Sequence, residues 1–89
     1  MPMKYDALNL QVSGFERIDD LYHYLKFAYP EPKLQYRLIP TSPPYLEEEI
    51  YDLASDRYLG LWLDDCFDFA GADDEVVGKL EALFGHYLK

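Results

Sequence analysis

The side chains whose types could do chemistry are Cys66, His23, His86 and the carboxylates of Asp64, Asp65 and Asp68. A thiol or serine nucleophile needs a base beside it, and the only imidazoles are His23 and His86. His23 falls between Tyr22 and Tyr24 in a helical stretch, and His86 in the last turn of another, where a cation also suits the helix dipole. No spacing joins either histidine to Cys66. No acid, base and orienting group converge, so the expectation is a chain without catalytic residues.

Asp64 to Glu75 has the twelve-residue length and the terminal Asp and Glu of a calcium loop. It fails inside: Cys66 and Phe69 stand where an oxygen ligand and the turn-making glycine belong. A looser divalent-cation site of Asp64, Asp65 and Asp68 competes with a solvated acidic loop plus helix-capping carboxylates, and the second is expected. The five glycines, Gly14, Gly60, Gly71, Gly78 and Gly85, are scattered singly, so no phosphate-binding loop is present. Neither a metal nor a cofactor is expected.

The elements that position these residues follow from periodicity. Leu8, Leu10 and Val12 alternate with Asn9 and Gln11, which predicts one half-buried strand between Lys4 and Val12. Ser13 followed by Glu16 reads as a capping box. Beyond it Ile18, Leu21, Leu25 and Ala28 form a helical stripe with Tyr22 and Tyr29 at its edge, ended by Pro30. A second strand is predicted where Leu34, Tyr36 and Leu38 alternate with Gln35, Arg37 and Ile39. The three prolines between Pro40 and Pro44 then impose a loop.

Residues 45–54 admit two readings. Leu46, Ile50 and Leu53 have helical spacing, with Ser42 and Pro43 as a start. The preferred reading makes Ile50–Leu53 a strand hairpinned to Tyr58–Leu63 around Ser55 and Asp56, although the turn lacks glycine. In that second strand the alternation puts Leu59, Leu61 and Leu63, together with Tyr51 and Leu53 of the first, on a core face and Tyr58, Gly60 and Trp62 on the other. Asp73 is the expected N-cap of a last helix, with Asp74 and Glu75 in its first turn. Its apolar face is Val76, Val77, Leu80, Leu83, Phe84, Tyr87 and Leu88. Gly78, Ala82 and Gly85 make a smooth stripe on that helix, expected to meet the domain's own elements rather than a second subunit.

The fold class predicted is α+β: one two-layer domain over residues 1–89, ordered β-α-β-β-β-α, with an antiparallel-rich sheet and helices mainly on one face. The alternative, β-α-β-α-β-α, replaces the third strand with a short helix. At 89 residues there is room for one core. An apolar share of 49% and aromatic share of 17% exclude intrinsic disorder despite a net charge of −9. A single cysteine excludes an intramolecular disulfide and suggests a reducing, cytoplasmic compartment. No signal-peptide pattern opens the chain, and no run nears the ~20 apolar residues of a membrane span.

Residues 1–45 carry five basic and five acidic side chains, whereas residues 46–89 carry three and twelve, so the whole surplus sits in the second half. A field of that sign repels nucleic acid and anionic membranes and favours basic partners. With the two helices on the leucine face, Tyr58 and Trp62, with Ile50 as a further candidate, would form an outward aromatic patch flanked by Asp64, Asp65 and Asp68. The function expected is a non-enzymatic, acidic protein-binding module, of the inhibitor, immunity or antitoxin kind, masking a basic surface. The alternative is a small homo-oligomeric domain without catalytic activity, and the competing position for Trp62 is inside the core.

Overall fold

In the computed structural model, residues 3–28, 36–40, 47–52 and 54–87 are described. They form an α+β domain with one all-antiparallel sheet and two helices. In chain order the elements are β1 (Lys4–Asp6), β2 (Gln11–Ser13), α1 (Ile18–Ala28), β3 (Tyr36–Pro40), β4 (Glu47–Asp52), β5 (Arg57–Leu63), β6 (Cys66–Asp68) and α2 (Asp74–Tyr87). The strands lie in the order β1-β2-β6-β5-β4-β3, so a C-terminal meander is joined to an N-terminal hairpin where β6 pairs with β2.

The single strand expected between Lys4 and Val12 is two strands and a turn. Asp6 causes the break: its carboxylate accepts the backbone N–H groups of Leu8 and Asn9 and the side-chain amide of Asn9. An aspartate that satisfies the amides of the next residues substitutes for a strand ladder and reverses the chain. Leu10 completes the turn in the left-handed region, at φ 53°. Leu8, expected in the strand, is consequently 94% exposed.

Helix α1 starts later than the Ser13 and Glu16 pattern predicts, because Ser13 is committed to β2. Its N-terminus is closed instead by Asp20, whose carboxylate accepts the Arg17 N–H at 3.2 Å. This is the reach-back half of a capping box, moved four residues along. The stripe itself is as expected, with Leu21 and Leu25 fully buried. Helix α2 begins at the expected cap: Asp73 Oδ1 accepts the Val76 N–H at 2.8 Å, and Arg57 at the start of β5 reaches Glu75 at 2.9 Å.

The expected β4–β5 hairpin is present, and residues 47–52 are strand rather than helix. Its glycine-free turn is built by Asp52, which accepts the Ala54 N–H and the Ser55 hydroxyl, and by Asp56, which takes the left-handed conformation at φ 56°. The predicted face assignment does not hold. Ile50 pairs with Gly60 but Tyr51 pairs with Tyr58, so Leu59 is an extra residue on β5. That bulge turns Leu59 and Gly60 to the same side and inverts the alternation after them. Trp62 therefore points into the core at 7% exposure, while Leu61 and Leu63 point out, half-buried. Gly60 is required there, since a Cβ would stand 2.5 Å from the Asp68 carbonyl oxygen and 2.6 Å from the Phe67 ring.

Both helices cover the Trp62 side. The row Tyr5, Val12, Phe67 and Trp62 crosses the sheet beneath them, with Phe67, Phe69 and Phe84 in mutual ring contact at 5.7–6.3 Å. On α2, Gly78 and Ala82 are exposed, with nothing within 4 Å of a Cβ at Gly78, whereas Gly85 stands by Tyr5. The small-residue stripe thus meets the rest of the domain at one end only. Tyr29, Pro30, Leu34, residues 41–46, Leu53 and Leu88 lie outside the described residues, while Pro40, expected to open a loop, is the last residue of β3.

Candidate functional site on the open face of the sheet

Because directly paired residues of an antiparallel sheet share a side, the register fixes what the second face carries. One row runs Asp6, Gln11, Asp68, Leu61 and Glu49; the next holds Lys4, Ser13, Cys66 and Leu63; Tyr51 and Tyr58 form a pair beyond the bulge, with Arg37 of β3 in register with Tyr51. Neither helix packs on this face. The Tyr51 and Tyr58 rings meet edge to face at 5.5 Å, and on the two central strands Leu61 and Leu63 pair with Asp68 and Cys66. The polar groups of the face are held in place: Asp68 accepts the Gln11 side-chain amide at 3.1 Å and the Ala70 N–H at 2.9 Å.

The face carries the carboxylates Asp6, Asp68 and Glu49 and, in register with Ser13 and Tyr51, the cationic residues Lys4 and Arg37. Burial, then the charges of Glu49 and Asp68, push the Tyr58 phenol up, so at neutral pH it is a neutral O–H donor in an acidic field. Burial and the neighbouring Asp68 and Asp65 push the Cys66 thiol up too. A thiol kept protonated is a poor nucleophile, and Cys66 Sγ lies 4.0 Å from the Gln11 carbonyl oxygen, not beside a base. His23 and His86 stand on the helices, in the other layer. Hydrogen bonding to the Asn9 side chain, and then to the Asn9 and Leu8 amides, holds the Asp6 carboxyl below the ordinary range.

The sequence-predicted site residues separate into three groups. Tyr58 and Asp68 come together on the open face. Asp64 and Asp65 form the exposed β5–β6 turn at its end, Asp64 at φ 64°, with the Asp65 carbonyl accepting the Gly14 and Phe15 N–H groups. Trp62 belongs to the core, beneath Phe15 at a ring separation of 5.9 Å, and Ile50 is fully buried, so neither forms an outward patch with Tyr58. Among the described residues no three His, Cys, Asp or Glu side chains gather as metal ligands would. None of their helices is long and apolar enough to cross a membrane.

Tyr51, Leu61 and Leu63, expected on the core face, lie on this one, and Gln11 and Glu49 join them without a signal in the sequence pattern. The signal that could have found Leu61 and Leu63 is Gly60, because an isolated glycine inside a strand pattern marks a bulge, and a bulge exchanges the faces. No family model, curated protein or solved structure matches the chain. The fold and this face define it as a two-layer α+β domain with one helix-covered and one open sheet surface.

Proposed function

We propose that the chain is a non-enzymatic protein-binding module whose open sheet face, rimmed by the carboxylates of the second half, covers a basic surface on a partner, as inhibitor, immunity and antitoxin proteins do. The observation that carries this reading is that Tyr51, Tyr58, Leu61 and Leu63 share the side of the sheet that neither helix covers, bordered by Glu49 and Asp68. Antiparallel sheets with one solvated face ordinarily keep that face polar. A tyrosine and leucine patch flanked by Asp68 and Glu49, with Lys4 and Arg37 at register positions on the two edge strands, has the anatomy of an interface, with half-buried anchors among charges that steer approach. Asp64 and Asp65 extend the rim at one end.

The test is affinity capture from the producing cell with the wild-type chain, Leu61→Ser and Asp68→Lys, followed by association kinetics at rising salt. The expected result is a partner with a basic face, held by the wild type and lost from both variants. Its association rate should fall steeply once the screening length drops below about 10 Å. Retention of the partner by both variants would exclude this face. Salt-insensitive self-association as the sole interaction would replace the reading with a homo-oligomer.

A further inference from the structure

We draw no further inference here: the strongest candidate, the groove between α1 and α2 where Phe27 and Ala28 face Lys79, Ala82, Leu83 and His86, is an apolar cleft for which nothing in the structure shows what covers it.

Discussion

Leu61 and Trp62 are neighbours in one strand, and they belong to different parts of the molecule. Trp62 sits under Phe15 in a core shared by both helices, whereas Leu61 is half-buried on a face that neither helix touches. Apolar content alone does not decide which side of a sheet is the core. The helices decide it, because only one side can be covered by two helices that also pack on each other, and the bulge at Leu59 determines which residues of β5 face them. Among the described residues neither helix packs on the apolar side chains of the other side, and the proposed interface lies there.

The difference between the faces is open to direct attack. Trp62→Ala should cost about 3–5 kcal/mol in urea unfolding, the ordinary range for emptying a large aromatic site, and Leu61→Ala less than about 1 kcal/mol. Equal costs would mean that the open face is a second core. Next in size is Gly60→Ala. A methyl group there meets backbone at 2.5 Å and a ring locked among Phe69 and Phe84, so a loss of about 3 kcal/mol is expected. A neutral result would remove the bulge as the device that sets the faces apart.

The smallest expected effect concerns a phenol at the margin of the covered face. Burial first, then Glu48 and Asp19, push Tyr22 from 10.0 up to about 12. A folded-state value above the unfolded one means that the folded chain holds the proton more tightly. The stability it contributes is complete below pH 10.0 and is lost as pH rises towards about 12. Alkaline unfolding followed by near-ultraviolet absorbance should therefore be less steep across that window in Tyr22→Phe. An unchanged profile would assign the alkaline loss to other groups, Tyr58 on the open face and Tyr5 among them, whose phenols are also raised.

Several elements were readable because their determinants are local. The α2 cap needs only Asp73 and the amides that follow it, and the buried stripe of α1 needs only helical spacing. The β4–β5 hairpin was readable from alternation, yet its turn was not, since Asp52 and Asp56 do together what a glycine would have announced. The N-terminal strand was misread because the polar alternation around Leu8 and Leu10 hides a turn driven by Asp6. Strand β6 is three residues long, too short for any period, and exists through its pairing with β2 and β5.

By itself the sequence determined an α+β chain with acid concentrated in its second half and two amphipathic helices, because charge, caps and periodicity are properties of neighbouring residues. The tertiary structure alone decided that Trp62 is core and that Tyr51, Tyr58, Leu61 and Leu63 share the open face. One inserted residue in a ladder reverses every later side chain of that strand, and a ladder exists only between segments far apart in the chain.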